Sequence, residues 1–149
     1  MPRRHADTPP GALTSTVGVR VPFFDTDAMG VVHHARYVPY LELARVRLLE
    51  EHHRPYTDYV ARDLHFAVTR LEVDYHRGVG FDARIEVTAW LTWVRGASLG
   101  VAYRILADGA PVATAVTEHA MVDAEGRPRR IPAEDRQALQ ALVAKESRD

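Results

Sequence analysis

Apolar and polar residues alternate along the chain from Ser15 onward. Val17, Val19, Val21 and Phe23 occupy every second position and are separated by polar or small residues. A period of two places one set of side chains on each face of an extended backbone. The segment therefore predicts a half-buried strand that runs to Phe23.

The same alternation returns four times after residue 63. The alternating segments lie near residues 64–75, 85–93, 99–105 and 112–122. Within the first of these, the alternation slips by one position at Thr69–Arg70, which predicts a β-bulge. Asp108–Gly109 is a strong hairpin signal between the last two segments. Strands joined in succession by short turns predict an antiparallel sheet.

A helical period interrupts the strand pattern in the first half of the chain. Apolar side chains recur there at helical spacing, and two aromatic or aliphatic neighbours widen the stripe: Tyr37, Tyr40, Leu41, Ala44, Leu48 and Leu49. Pro39 falls early enough for a helix to tolerate it, which indicates a short first turn before the main helix. A second, polar helix is predicted from Pro132. One sheet with one buried helix is an α+β architecture.

Length and composition indicate one globular domain. The 149 residues include 19 basic and 20 acidic side chains, for a formal net charge of −1, and no cysteine. Balanced charge argues against nucleic acid as a partner. The lack of cysteine excludes disulfides, thiolate metal sites and a cysteine nucleophile, and fits a cytoplasmic location. No apolar run approaches the roughly 20 residues of a membrane span. We expect residues 1–13 to form a flexible tail and residues 14–149 to form the domain.

The candidate chemistry lies between the first strand and the long helix. Asp25 and Asp27 stand two residues apart in a polar segment that ends at Gly30. The start of a helix offers unpaired N–H groups and a positive partial charge, which stabilise a developing oxyanion. A nearby carboxylate then attacks a polarised carbonyl or activates water. The alternative is that these aspartates form a turn and cap the helix, which is the commoner role of such residues.

The stretch from Val21 to Arg45 resembles the signature of the 4-hydroxybenzoyl-CoA thioesterase family. The most specific part is Asp25-Thr-Asp-Ala-Met-Gly-Val-Val, which leads into a helix that contains Tyr37. The resemblance is greatest to the branch associated with the Tol-Pal system. It continues through Asp63-Leu-His-Phe-Ala-Val, Asp74-Tyr-His-Arg and Asp123-Ala-Glu-Gly-Arg-Pro.

The resemblance implies a hotdog fold, in which a five-stranded antiparallel sheet wraps around one long helix. It also implies acyl-CoA thioesterase activity with Asp27 as the catalytic carboxylate, acting as nucleophile or general base. The backbone N–H at His34 would polarise the thioester carbonyl, and Gly30 would shape the turn. Tyr37 is implied to contact the substrate, and no cofactor is expected. A homodimer or homotetramer is implied, and pairing between subunits would also cover the open edges of the sheet.

His33 and His34 allow other interpretations of the same segment. Together with Asp27 they suggest a metal site, but adjacent residues rarely bind one ion and no further ligand has suitable spacing. Hydratases and dehydratases of the same fold use a carboxylate–histidine pair, which Asp27 and either histidine would imitate. The simplest alternative is that the histidines line the mouth of the site without transferring protons. We expect no metal.

Two further positions are assigned by the resemblance. Glu42 matches an acidic residue that touches the acyl group and is the second candidate catalyst, although an ion pair with Arg45 is an equally good interpretation. Arg95 and Ser98 fall where the family binds the CoA phosphates, but neutral Gly96 and Ala97 reduce the positive charge there. Other basic side chains either substitute for it or form a solvated loop: Arg127, Arg129 and Arg130.

The hypothesis from the sequence is therefore hydrolysis of a short-chain, long-chain or aryl acyl-CoA. Aromatic side chains near the site suggest a pocket for an aryl group, but such residues are more often part of the core: Phe24, Tyr37 and Tyr40. An acyl carrier protein thioester is an alternative substrate. A hydratase, and a module that binds acyl carrier protein without turnover, are the alternative functions.

Overall fold

The alternating segments form one five-stranded antiparallel sheet in the computed structural model, which describes residues 8–144. The strands are β1 Ser15–Arg20, β2 His65–Tyr75, β3 Arg84–Val94, β4 Ser98–Ala107 and β5 Ala110–Val122. Their order in the sheet is β1-β3-β4-β5-β2, so β1 and β2 are the edges. The predicted α+β hotdog architecture is confirmed.

The long helix, α1 (Tyr37–His52), packs against β1 and β3. Its six buried residues are the six that the helical period predicted. Leu41 and Leu48 are 0% and 1% exposed, and full burial of such a side chain stabilises a fold by about 2 kcal/mol. A 3₁₀ turn at His34–Arg36 precedes α1. The short turn therefore comes before Tyr37, and Pro39 lies within the first turn of the main helix rather than before it.

Two short helices, α2 (Tyr56–Ala61) and α3 (Ala133–Gln140), are joined by one buried carboxylate. Asp135 is 2% exposed, and its carboxylate oxygens lie 2.8 Å from Arg62 Nη1 and 2.9 Å from Arg54 Nε. Burial alone would raise the pKa of Asp135, but the Arg62 hydrogen bonds and the two guanidinium charges hold that pKa below its ordinary value. This ion-pair cluster fixes α2 beside α3.

The first strand is shorter than predicted. β1 ends at Arg20, and Phe23 begins a 3₁₀ turn with its side chain 73% exposed. Pro22 has no N–H to continue the ladder, which explains the early end of the strand. The predicted bulge is confirmed by a register shift between Val68 and Arg70.

The β4–β5 hairpin is confirmed at the predicted position. Asp108 and Gly109 have φ angles of 50° and 76°, and both central residues of a type I′ turn require positive φ. At the N-terminus, residues 1–7 of the predicted flexible tail lie outside the described residues. Residues 8–13 contain a turn in which the Ala12 N–H donates to the Pro9 carbonyl at 3.1 Å. Among residues 8–144, no helix has the length and apolar character needed to cross a membrane.

Candidate active site

The polar segment after β1 forms a tight loop between two short extended pieces. Thr26 and Val32 pair as an antiparallel bridge, and the Asp27 N–H donates to the Val31 carbonyl at 2.9 Å. The Gly30 N–H donates to the Asp27 carbonyl at 2.9 Å, and Gly30 has a φ of 80°. A side chain at this position would be strained. The predicted turn at Gly30 is therefore built into the loop backbone.

The two aspartates of the loop have different surroundings. Asp25 is 4% exposed, and its carboxylate accepts hydrogen bonds from Arg36 Nε at 2.7 Å and the Tyr40 hydroxyl at 2.5 Å. Its carbonyl accepts the His33 N–H at 2.9 Å. Burial, followed by the hydrogen bond to Asp25, raises the pKa of Tyr40 well above its usual value. Asp25 thus anchors the loop to the start of α1.

The Asp27 carboxylate is held more lightly. One oxygen accepts the Met29 N–H at 2.9 Å, which is the turn-forming role of an aspartate. Within residues 8–144, the other oxygen has no hydrogen-bond partner. Asp27 is therefore the carboxylate of this pair that has an oxygen available to a substrate or a water molecule.

Backbone donors at the 3₁₀ turn lie on the helix side of this loop. The His33 Nδ1 accepts the Ala35 N–H at 3.1 Å, and the His33 carbonyl accepts the Arg36 N–H at 2.8 Å. No acceptor for the His34 N–H is present in the described part of the chain. The role of His33 as a cap was not identified from the sequence, because histidine is uncommon at this position.

Three tyrosines support the loop from the helix and from β2. Tyr37 is 2% exposed, and its ring centroid lies 5.9 Å from that of Tyr40 and 5.6 Å from that of Tyr75. The Tyr75 hydroxyl donates to the His34 carbonyl at 2.7 Å. Tyr37 therefore packs in the core beneath the loop, and a substrate contact through its side chain stays a prediction. Phe24 is 77% exposed.

Glu42 and Arg45 line an open groove between α1 and the sheet. Their side chains form the predicted ion pair at 3.5 Å, with Glu42 65% and Arg45 19% exposed. The groove has about 580 Å³ of empty space when the open solvent at its mouth is counted, and His119 of β5 also lines it. His119 was missed in the sequence, although a histidine at an inward position of an alternating strand is a signal that can be read.

The β3–β4 turn brings together the residues predicted to bind phosphate. The Arg95 N–H donates to the Ser98 carbonyl at 2.8 Å, and the Arg95 guanidinium lies 4.7 Å from the Trp93 ring centroid. The Arg130 guanidinium lies against Gly96, where an added Cβ would stand 3.0 Å from Arg130 Nη2. The Ile131 N–H donates to the Gly96 carbonyl at 2.8 Å, and this hydrogen bond holds the segment that contains Arg130 beside the β3–β4 turn.

The other two arginines of the basic loop are engaged by Asp123. Arg127 Nε lies 2.9 Å and Arg129 Nη2 lies 3.4 Å from its carboxylate. The backbone N–H of Arg127, with the Arg127 side chain and the Glu125 N–H, lowers the pKa of Asp123 to about 2. Arg95 and Arg130 are therefore the better candidates for an anionic ligand. No group of three or more His, Asp or Glu side chains in residues 8–144 is arranged to hold a metal ion.

Comparison with known proteins places this site in context. Residues 21–142 match the family profile described as the thioesterase-like superfamily. The chain is 39% identical over 88 residues to the acyl-CoA thioester hydrolase YbgC of Escherichia coli. That alignment covers 59% of this chain and 66% of the relative, which is just under two thirds of its length.

Solved structures with this fold give longer alignments. The hypothetical protein TT1821 from Thermus thermophilus has a TM-score of 0.84 at 34% identity, covering 89% of this chain and 100% of that one. A thioesterase from the same species, complexed with coenzyme A and Zn, has a TM-score of 0.74 at 30% identity. That alignment covers 86% of this chain and 93% of the thioesterase.

Proposed function

The chain belongs to the thioesterase-like superfamily, and from that premise we propose that it hydrolyses acyl-CoA thioesters with Asp27 as the catalytic carboxylate. The observation that carries the proposal is the division of labour between the two aspartates. Asp25 is buried against Arg36 and Tyr40, whereas Asp27 retains an oxygen without a partner in residues 8–144. The similarity to acyl-CoA thioester hydrolases supports the reaction class.

In the proposed mechanism, the His34 N–H donates to the thioester carbonyl oxygen and stabilises the negative charge that develops there. Asp27 then acts in one of two ways. It attacks the carbonyl carbon and forms an acyl anhydride that water hydrolyses, or it takes a proton from the water that attacks. In both routes the C–S bond breaks, CoA leaves as a thiolate that is protonated, and the acyl group leaves as a carboxylate.

We propose that Arg95 and Arg130 bind the phosphates of CoA beside the β3–β4 turn. The Arg130 guanidinium lies against Gly96 and the Arg95 guanidinium lies over the Trp93 ring, and neither has a carboxylate partner among residues 8–144. Ser98 begins β4 at the same turn. Arg127 and Arg129 contribute less in this proposal because Asp123 offsets their charge. If the natural carrier is acyl carrier protein, the same two arginines would bind the phosphate of its phosphopantetheine group.

We also propose that the protein is a homodimer or homotetramer whose subunits meet along β2. This edge strand exposes apolar side chains, with Val68 50%, Leu71 41% and Tyr75 50% exposed. Phe24 and Met29, which flank Asp27, are 77% and 80% exposed. Several exposed apolar side chains on an edge strand are typical of an interface. Light scattering that gives a monomer at micromolar concentration would contradict this proposal.

The function is tested by thiol release from a panel of short-chain, long-chain and aryl acyl-CoAs. We expect Asp27→Asn to lower kcat by at least about a hundredfold, which is the usual contribution of a general base. Asp108→Asn is the matched control, because this aspartate lies in the β4–β5 hairpin and tolerates the same change at its positive φ. Wild-type turnover by Asp27→Asn, with Glu42→Gln inactive, would move the catalytic role to Glu42.

A further inference from the structure

The two peptide units on either side of the His34 Cα are held by three hydrogen bonds. The His33 carbonyl accepts the Arg36 N–H at 2.8 Å, and the Ala35 N–H donates to His33 Nδ1 at 3.1 Å. The His34 carbonyl accepts the Tyr75 hydroxyl at 2.7 Å. Three of the four backbone polar groups in these units are therefore engaged. The fourth, the His34 N–H, has no acceptor in the part of the chain that the structure describes.

These hydrogen bonds restrict the direction of the unused His34 N–H. Each peptide unit is planar, so holding its carbonyl or its N–H limits the rotation of the whole unit. The unit before the His34 Cα is held at its carbonyl, and the unit after it is held at both ends. A donor that is oriented before the substrate arrives stabilises a developing oxyanion without the cost of reorganisation. The arrangement therefore favours the oxyanion-binding role proposed for this N–H.

Tyr75 can hold the turn because its own position at the end of β2 is fixed. The ladder pairs Tyr75 with Ala113 of β5, and the next residue, His76, donates its N–H to the Val112 carbonyl at 2.9 Å. The Tyr75 ring packs against Tyr37, with centroids 5.6 Å apart. Burial raises the pKa of Tyr75 above its ordinary value. Its hydroxyl therefore stays protonated near pH 7, as a donor to a carbonyl must be.

The segment that begins with this tyrosine also holds the loop of the proposed catalytic carboxylate. The Val32 N–H donates to the Val79 carbonyl at 2.8 Å. Gly80 lies close to the same loop, since a Cβ there would stand 3.1 Å from the Gly30 carbonyl oxygen. Residues 75–80 thus contact both the loop that carries the carboxylate and the turn that carries the free N–H. One short stretch of chain sets how these two parts of the site lie relative to each other.

We propose that Tyr75 and His33 are positioning residues of the thioesterase reaction. They hold the peptide unit after His34 so that the His34 N–H meets the thioester carbonyl in one direction. This inference rests on the proposed function. The role requires a hydroxyl donor at position 75 and an acceptor at position 33, and it requires no proton transfer by either side chain.

Replacing Tyr75 by phenylalanine keeps the ring against Tyr37 and removes only the hydroxyl. We expect kcat for the best acyl-CoA to fall about three- to tenfold, the effect of one hydrogen bond, while KM changes by less than about twofold. Tyr59→Phe is the matched control, because its hydroxyl contacts His53 and Asp135 of the α2–α3 cluster instead of the site. The control should keep the wild-type kcat even though it loses a buried hydrogen bond.

Two substitutions of His33 separate the role of an acceptor from that of a proton-transferring group. His33→Ala removes the acceptor and should lower kcat by about three- to tenfold. His33→Asn supplies a side-chain oxygen at a position where asparagine is a favourable cap, so it should keep at least about half of the wild-type kcat. Because asparagine does not exchange protons near pH 7, a His33→Asn variant as slow as His33→Ala would overturn the role of His33.

Nitrogen-15 relaxation of the His34 amide measures its orientation without any substrate. We expect an order parameter of about 0.85, typical of rigid backbone, in the wild type and in Tyr59→Phe. The value should be clearly lower in Tyr75→Phe and in His33→Ala. All variants are compared where light scattering gives the wild-type mass, because Tyr75 lies on an edge strand.

A wild-type kcat in Tyr75→Phe would overturn the proposal. A lowered kcat with His34 as rigid as in the wild type would also overturn it, since the hydroxyl would then act in another way. If Tyr75→Phe fails to fold, the two His33 variants decide. If the wild type hydrolyses no acyl-CoA, the proposed function fails separately and the relaxation data decide: unchanged order parameters refute the positioning role, and lowered ones support it.

Discussion

Replacing Asp25 by asparagine should destabilise the fold, whereas the same change at Asp27 should lower kcat by at least about a hundredfold and leave stability almost unchanged. The Asp25 carboxylate is buried and accepts the Tyr40 hydroxyl at 2.5 Å and Arg36 Nε at 2.7 Å. Asp27 accepts one backbone N–H at 2.9 Å from a partly exposed position. The two substitutions remove the same charge from positions two residues apart, so each is the control for the other.

The magnitude follows from the two contacts. A buried hydrogen bond to a charged group contributes about 1.5–3 kcal/mol. The ion pair adds less, roughly 0.5 kcal/mol, because the Arg36 side chain is 47% exposed and solvent screens it. The asparagine amide retains part of the Tyr40 contact, so we expect a net loss of about 2 kcal/mol. For a chain of 149 residues this lowers Tm by about 4–8 °C.

The assay is thermal unfolding of wild type, Asp25→Asn and Asp27→Asn at one protein concentration, because association shifts Tm by mass action. Tyr40→Phe provides an independent measurement of the same hydrogen bond and should be destabilised by a similar amount. An Asp25→Asn variant that melts within about 1 °C of the wild type would contradict this prediction. An Asp27→Asn variant that loses as much stability as Asp25→Asn would also contradict it.

Three other predictions test separate parts of the structure. In steady-state assays, removing the side chains of Arg95 and Arg130 together should raise KM for acyl-CoA about tenfold with little change in kcat. Hydrolysis of acyl-pantetheine, which lacks the nucleotide, should be unaffected. Because burial, and then the charge of Arg45, lowers the folded pKa of His119 to about 4 from an ordinary 6.5, the unfolded state binds the extra proton, so the wild type should lose up to roughly 3 kcal/mol between pH 7 and pH 4. Urea unfolding of His119→Gln should show a loss smaller by that amount. Asp135→Asn should lower the free energy of unfolding by about 2–3 kcal/mol in urea, since it leaves Arg54 and Arg62 facing a neutral side chain; an unchanged midpoint would show that the cluster does not stabilise the fold.

Local periodicity predicted those parts of the fold that depend on neighbours in sequence. The buried face of α1 was predicted residue by residue, because one apolar stripe meets one sheet. The slip at Thr69–Arg70 predicted the bulge for the same reason. Phe23 was placed wrongly, because the alternation continues through Pro22 while the hydrogen-bonded ladder cannot.

The site depended on contacts between distant residues, which a single sequence does not reveal. Asp25 and Asp27 look equivalent in the sequence, and what separates them is the approach of Tyr40, 15 positions away on α1. The groove was missed because it is assembled from several strands and two helices. His119 was overlooked because its inward position in β5 gains meaning only when Thr117 and Tyr103 are aligned beside it.

The bulge in β2 has a consequence for how the chain behaves before it meets a partner. A newly made or highly diluted subunit exposes the edge of β2, and an extended peptide can pair with this edge as a further strand. The register shift between Val68 and Arg70 divides the edge into two short runs. Arg70, paired with Glu72, places opposite charges in the second run. The irregularity therefore acts as a gatekeeper against fibrous misassembly, and deleting Thr69 should increase light scattering during refolding even though the domain itself still folds.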